Sequence, residues 1–78
     1  IDLSKIKIKQ IFKEIKKNNI KDSEMLKTFN CGVGFCLISN KKNINKIKKI
    51  FTKEYRPYEI GFVYKNKKRI VLKNKLKW

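Results

Sequence analysis

The chain has 78 residues and a mass of 9.4 kDa, enough for one small domain or for part of a larger one. Its hydrophobic share of 41% is typical of a folded protein and excludes a disordered tail. No apolar run approaches the roughly 18 residues of a membrane span, and no secretory signal is evident. We therefore expect a cytoplasmic protein without a membrane partner.

The net charge of +16 has two interpretations that the sequence leaves open. Twenty-two Lys and Arg against six Asp and Glu would suit a binder of nucleic acid or of an anionic surface. Twenty of the 22 are Lys, however, and Lys, Ile and Asn together make up 40 of the 78 residues. Because these three amino acids share A/T-rich codons and sequence-specific nucleic-acid binders favour Arg, we prefer codon bias to a binding function.

Helical periodicity predicts two helices in the first part of the chain. The first runs from about Lys9 to Asn18. Its apolar residues are Ile8, Ile11, Phe12 and Ile15. A short second helix begins at Asp22, a good N-cap, and ends near Asn30, which suits the left-handed conformation of a helix terminus.

The rest of the chain predicts a strand, a third helix and a β-hairpin. Residues 33–38 are apolar on both faces, as in an inner strand that is covered on both sides. The third helix begins after Asn43 and ends before Pro57. Its apolar stripe consists of Ile44, Ile47, Ile50 and Phe51. Residues 58–64 and 69–72 alternate like the two strands of a hairpin.

The resulting order is helix, short helix, strand, helix, strand, strand. It predicts an α+β fold in which helices pack on an incomplete mixed or antiparallel sheet. Three strands and three helices are few for a sheet whose inner strand is covered on both faces. We therefore interpret residues 1–78 as a single partial domain, and its exposed apolar surface predicts a homodimer with two-fold symmetry.

Residue types that carry chemistry are few. The absence of His removes the usual general base and the usual catalytic triads, so we expect no catalytic residue. Cys31 and Cys36, without a second pair, do not make a zinc site, and we expect no metal site. On one strand their odd spacing would put them on opposite faces, which excludes a mutual disulfide and predicts buried free thiols in a reducing compartment.

The most informative segment is residues 24–35, EMLKTFNCGVGF, in which a helix end leads through a Gly-x-Gly turn into an apolar run. A lone Gly-x-Gly is weak evidence for phosphate binding, because the usual phosphate cradle follows a strand and opens a helix. From spacing alone, a tight turn between a helix and a strand is the simpler interpretation.

The same segment resembles the signature EM-(L)-(R/K)-TFN-x-G-(I/V)-G-M in the C-terminal domain of the phosphoribosylformylglycinamidine cyclo-ligase, or AIR synthase, family. Residues 1–4 (IDLS) and 11–13 (IFK) resemble the approach to that domain, and residues 58–63 and 69–72 resemble its closing hairpin. The matches cover nearly the whole chain in register. Three positions depart from the family's pattern: Gln10, Phe35 and Phe62.

The resemblance implies an ATP-dependent enzyme that closes the imidazole ring in de novo purine biosynthesis. It also implies that the machinery for ATP and Mg²⁺ lies in an N-terminal domain, which would then be a missing partner of this chain. We therefore expect a C-terminal fragment or a stand-alone relative, without a cofactor of its own and inactive by itself. By the same analogy, Asn30, Gly32 and Gly34 lie near the cleft where substrate binds.

The alternative function belongs to another class of protein, a small basic module that binds nucleic acid or an anionic surface. Tyr55, Arg56 and Tyr58 would then be available to stack on a base. Binding that weakens steeply with added salt would favour this alternative.

Overall fold

The computed structural model describes all 78 residues and contains three short α-helices. Helix α1 is Gln10–Lys16, helix α2 is Asp22–Thr28 and helix α3 is Ile44–Ile50. Short 3₁₀ turns at Leu3–Lys5 and Lys41–Asn43 precede α1 and α3. None of the helices has the length and apolar composition needed to cross a membrane. The three helices predicted from periodicity are confirmed, since each lies within its predicted range.

The predicted α+β fold is wrong, because no sheet forms. The segments predicted as strands, residues 33–38, 58–64 and 69–72, make no ladder with one another, and the one bridge is an isolated parallel pair between Asp2 and Lys73. A strand is defined by hydrogen bonds to a neighbouring backbone, and apolar alternation within a segment does not supply that neighbour. The predicted sheet, with helices packed on it in the order helix, short helix, strand, helix, strand, strand, is replaced by three helices and long irregular connections.

The core is built from the two ends of the chain together with α2 and the turn that follows it. Its five buried residues are Leu3, Ile6, Met25, Cys31 and Leu76. Helix α1 covers this cluster with Phe12 and Ile15, and the ring centroid of Phe12 lies 5.7 Å from that of Phe29. Every residue of the cluster and of its partly buried cover belongs to residues 1–33 or 71–78, which we call the packed half.

Main-chain hydrogen bonds join the two ends of the packed half. The ammonium group of Ile1 donates to the Val71 carbonyl at 2.8 Å. The Leu3 N–H donates to the Lys73 carbonyl, and the Lys73 N–H donates to the Ile1 carbonyl, both at 2.9 Å. These bonds hold the C-terminal residues against the N-terminal ones, so Leu76 reaches the core.

Residues 34–70, which we call the open segment, contribute no buried residue. The apolar stripe predicted for α3 is not buried: Ile50 is 76% exposed, and Ile44 and Ile47 are only half-buried. The whole chain is correspondingly expanded. Its Cα radius of gyration is 14.1 Å, whereas a compact domain of this length has about 11.5 Å.

Candidate functional site

The candidate site begins where α2 ends and the chain reverses direction. The Val33 N–H donates to the Asn30 carbonyl at 3.0 Å, which closes a four-residue turn. Its two central residues have positive φ, 53° at Cys31 and 109° at Gly32, as in a type I′ turn. The Asn30 Oδ1 accepts from the Gly32 N–H at 3.0 Å, a side-chain bond that Asn often makes in turns.

The glycine at position 32 is required by the fold. Its φ lies in the region that side chains rarely adopt, and a Cβ built there would lie 2.9 Å from the Lys7 carbonyl oxygen. Gly34 differs, because its φ is not positive and a Cβ there would have no neighbour within 4 Å. The structure thus brings Asn30 and Gly32 together in one turn and places Gly34 just beyond it, in the open segment.

The two cysteines are both free but have different environments. Cys31 is fully buried, and its thiol donates to the Phe29 carbonyl at a sulfur–oxygen distance of 3.8 Å. Burial raises the pKa of the Cys31 thiol, and the negative charge of Asp22 raises it further, so the thiol is protonated and structural. Cys36 is exposed. The prediction of buried free thiols is therefore confirmed for Cys31 and wrong for Cys36.

Asn30 is also not the left-handed residue that the sequence predicted at the end of α2. That conformation belongs to Cys31, and the residue that caps the helix, Phe29, has an extended backbone. Asn30 is exposed, and its side chain stabilises the turn instead. The spacing Asn-x-Gly was the available sequence signal for this arrangement, since an Asn side chain reaches the N–H two residues on.

The turn offers hydrogen-bond donors to an oxygen-rich ligand. The Asn30 Nδ2 and the backbone N–H groups of Gly34 and Phe35 have no acceptor in the chain. No group of three or more His, Cys, Asp or Glu side chains anywhere in the chain could hold a metal ion. The Mg²⁺ implied by the resemblance therefore has no ligand set here, and we derive no step through it.

One structural carboxylate was not identified as such from the sequence. Asp2 Oδ1 accepts from the Ser4 N–H at 3.0 Å, from the Ser4 hydroxyl at 2.7 Å and from Asn74 Nδ2 at 2.9 Å. The hydrogen bond from Asn74, followed by that from the Ser4 hydroxyl, lowers the pKa of Asp2 to about 2. Asp2 thus connects the two ends of the chain, and the local pattern Asp-x-Ser was its sequence signal.

Asp22 also serves the fold rather than the candidate site. It was predicted to cap α2, but Lys21 occupies the N-cap position and no side-chain bond caps the helix. Instead, Asp22 forms an ion pair with Lys16 at 2.9 Å and accepts from the Trp78 indole N–H at 2.9 Å. The hydrogen bond from Lys16 lowers the pKa of Asp22; desolvation opposes this effect, and the bond from Trp78 adds to it.

A second polar feature is an open depression of about 330 Å³ beside α3. Its lining residues are Asn45, Lys48, Lys49 and Arg56. Of the aromatic residues considered for base stacking, Tyr55 is exposed, whereas Tyr58 contacts Lys7. The Tyr58 hydroxyl accepts from the Lys7 N–H at 3.1 Å, and the Lys7 ammonium lies 4.7 Å from the Tyr58 ring centroid.

Comparisons with known proteins identify the family. The model of the family described as "AIR synthase related protein, C-terminal domain" matches residues 1–73. Among curated proteins named phosphoribosylformylglycinamidine cyclo-ligase, that of Methanocaldococcus jannaschii is 45% identical over 51 residues, which cover 64% of this chain and 15% of the relative. The relative from Pyrococcus horikoshii is 38% identical over 64 residues, or 82% of this chain and 19% of the relative.

The relative from Fusobacterium nucleatum is 37% identical over 71 residues, or 88% of this chain and 21% of the relative. The chain therefore spans about a fifth or less of the length of these three curated relatives. No solved structure matches the chain. The match over residues 1–73 shows that the chain belongs to the family of AIR synthase related proteins, in the region of their C-terminal domain.

Proposed function

We propose that this chain is a C-terminal part of a phosphoribosylformylglycinamidine cyclo-ligase and that it acts in ATP-dependent imidazole ring closure only together with the rest of such an enzyme. The observation that carries this proposal is the family match over residues 1–73, supported by relatives that bear the name of this activity. The chain spans only 15–21% of the three relatives described, which leaves most of such an enzyme outside it. We infer that the groups that bind ATP and Mg²⁺ are among those other residues. The chain by itself, a single partial domain, is inactive.

Within that enzyme, the turn after α2 contacts the substrate. The Asn30 Oδ1 accepts a hydrogen bond from the Gly32 N–H, which leaves the Asn30 Nδ2 free to donate to a substrate oxygen. Gly34 leaves open space just after the turn, since no atom beyond its chain neighbours lies within 4 Å of the position of its missing Cβ. The role is binding and orientation, because the turn contains no group suited to proton transfer.

The test is a graft in which this chain replaces the matching 71-residue region of the Fusobacterium nucleatum cyclo-ligase. We expect the graft to consume phosphoribosylformylglycinamidine in an ATP-dependent reaction, and the 78-residue chain alone to show no turnover. A folded graft without activity would contradict the proposed function.

The role of the turn is tested in the same graft with Asn30→Asp. This change keeps the oxygen that accepts from the Gly32 N–H and removes the Nδ2 donor, so KM should rise more than kcat falls. Ser23→Ala is the matched control, because the Ser23 side chain is exposed and makes no hydrogen bond. If both variants leave KM unchanged, the turn does not bind substrate even if the graft is active.

A second candidate function, binding of nucleic acid or of another polyanion, is favoured by the basic depression beside α3. The test is titration of a mixed-sequence single-stranded oligonucleotide at increasing salt. Replacement of Lys48, Lys49 and Arg56 by Gln should reduce the salt slope by about 2 if all three contact phosphates. Replacement of Lys65, Lys67 and Lys68 by Gln removes the same charge elsewhere. An equal loss in both triple variants would mean non-specific attraction to a chain of net charge +16 and would contradict a binding site.

A further inference from the structure

We propose that Tyr58 is a positioning residue for the substrate-binding turn. It fixes Lys7, whose carbonyl lies against Gly32, and the turn then holds the side chain of Asn30 in place. This inference rests on the proposed function, because it takes the turn as the part of the chain that binds substrate. It adds to that function a residue of the open segment, which acts on substrate through the turn and without contact of its own.

The first step is that the Tyr58 side chain restrains Lys7 by two contacts. The Lys7 N–H donates to the Tyr58 hydroxyl at 3.1 Å, and the Lys7 ammonium lies 4.7 Å from the centroid of the Tyr58 ring. The second distance is that of a cation–π interaction. One contact is made by the main chain of Lys7 and the other by the end of its side chain, so Tyr58 restricts both parts of the residue.

The second step is that the backbone around Lys7 has few other restraints. No main-chain hydrogen bond involves Lys7 or Ile8, which lie between the first 3₁₀ turn and α1. The side chains of Ile6 and Ile8 pack in and against the core and anchor this short segment by apolar contact. The hydrogen bond to Tyr58 is therefore the polar contact that fixes the position of the Lys7 backbone.

The third step is that the segment restrained by Tyr58 lies directly behind the turn. A Cβ built at Gly32 would lie 2.9 Å from the Lys7 carbonyl oxygen and 3.4 Å from the Lys9 nitrogen, so the two backbones are in close contact. The Gly32 N–H in turn donates to the Asn30 Oδ1 at 3.0 Å. A displacement of Lys7 is thus passed to Asn30 through a single residue.

Tyr58 can serve as a fixed point because the residues that follow it are held against the beginning of the chain. The Asp2 N–H donates to the Ile60 carbonyl at 2.7 Å. A Cβ at Gly61 would lie 3.0 Å from the Ile1 Cα. Among the side chains of the open segment, that of Tyr58 alone makes a hydrogen bond to the packed half.

The effect of Tyr58 on the turn is measured in the 78-residue chain alone, with Cys31 as the reporter. This thiol lies in the turn and is fully buried, so a maleimide reaches it only when the turn opens. The exposed Cys36 is the internal reference. Tyr58→Phe keeps the ring and removes the hydroxyl, and it should raise the labelling rate of Cys31 about twofold to tenfold. Tyr55→Phe is the matched control, because Tyr55 is exposed and should not affect this rate.

A second variant separates opening of the turn from a general loss of stability. Ser4→Ala removes a hydroxyl that donates to Asp2 in the packed half. If Cys31 were labelled only on global unfolding, each variant would raise its labelling rate in proportion to the shift in its urea midpoint. We expect this proportion for Ser4→Ala, whereas Tyr58→Phe should raise the labelling rate by more than its midpoint accounts for.

The effect on substrate binding is measured in the graft by a double-mutant cycle. Tyr58→Phe should raise KM for phosphoribosylformylglycinamidine more than it lowers kcat, because the donor that orients substrate is less well placed. In the Asn30→Asp background, which already lacks that donor, Tyr58→Phe should leave KM unchanged. A merely structural role would change KM by the same factor in both backgrounds.

Three outcomes would overturn the proposal. Tyr58→Phe could raise Cys31 labelling no more than global stability explains, it could leave KM of an active graft unchanged, or it could act equally in both backgrounds of the cycle. Failure of the proposed function is a different result. An inactive graft contradicts that function, whereas faster labelling of Cys31 in Tyr58→Phe still supports Tyr58 as the residue that positions the turn.

Discussion

Residues 1–33 and 71–78 contain every buried side chain of this protein, whereas residues 34–70 contain none, although both regions are rich in Ile, Phe and Lys. The packed half also contains all three ion pairs, and the two carboxylates of the open segment, Glu54 and Glu59, form none. The two regions therefore differ in what surrounds their apolar residues and not in how many they have. A core forms where elements converge from distant parts of the chain, as the first and last residues do here.

The sharpest test of this difference is a pair of truncations to alanine. Met25→Ala empties a fully buried position and should lower the free energy of unfolding by about 2–5 kcal/mol. Phe35→Ala removes a larger side chain from an exposed position and should change it by no more than about 0.5 kcal/mol. Chemical unfolding followed by far-UV circular dichroism measures both. Equal effects would show that the open segment has a core of its own.

A second test uses pH, because the hydrogen-bonded carboxylates lie in the packed half. The bonds from Asn74 and Ser4 lower the pKa of Asp2 from 3.8 to about 2, so the unfolded chain takes up this proton at higher pH than the folded chain does. The contribution of Asp2 to stability is therefore complete above about pH 4 and is lost as the pH falls towards 2. The urea midpoint should decrease across this interval.

The matched variants for the pH test are Asp2→Asn and Glu59→Gln. Asn at position 2 keeps an oxygen that can accept from Ser4 and Asn74 but does not titrate, so the decrease between pH 4 and 2 should become shallower. Glu59 accepts no hydrogen bond and lies in the open segment. The urea midpoint of Glu59→Gln should therefore depend on pH in the same way as that of the unmodified chain. The assignment of this pH dependence to Asp2 fails if the profile of Asp2→Asn keeps its full slope.

The helices could be predicted from the sequence because their signals are local. Apolar spacing around Ile11 and Ile15 places α1, and Asn43 marks the start of α3, which ends at Ile50, well before Pro57. The burial of α3 could not be predicted in the same way. Its apolar stripe is present, but no other part of the chain buries it, and Ile50 remains 76% exposed.

The prediction of a sheet was wrong because strand pairing, like burial, depends on contacts between distant segments and not on local sequence. Residues 33–38 have the composition of an inner strand, but no segment of this chain pairs with them. The candidate turn was located through the family resemblance of residues 24–35, and the structure added the Asn30–Gly32 bond. The burial of Cys31 was predicted, but its left-handed backbone was not, because the sequence assigned that conformation to Asn30.

The smallest expected difference between the two regions is in the free energy of unfolding when one hydrogen-bonding group is removed from an aromatic side chain in each. Trp78→Phe keeps a ring beside Lys16 but removes the indole N–H that donates to Asp22, and it should lower the free energy of unfolding by about 1 kcal/mol. In Tyr64→Phe the lost hydroxyl accepts from Asn66 on the surface, where water replaces it, so stability should not change. Equal unfolding midpoints for the two variants would mean that the C-terminal tryptophan frays, and that the packed half ends at Leu76.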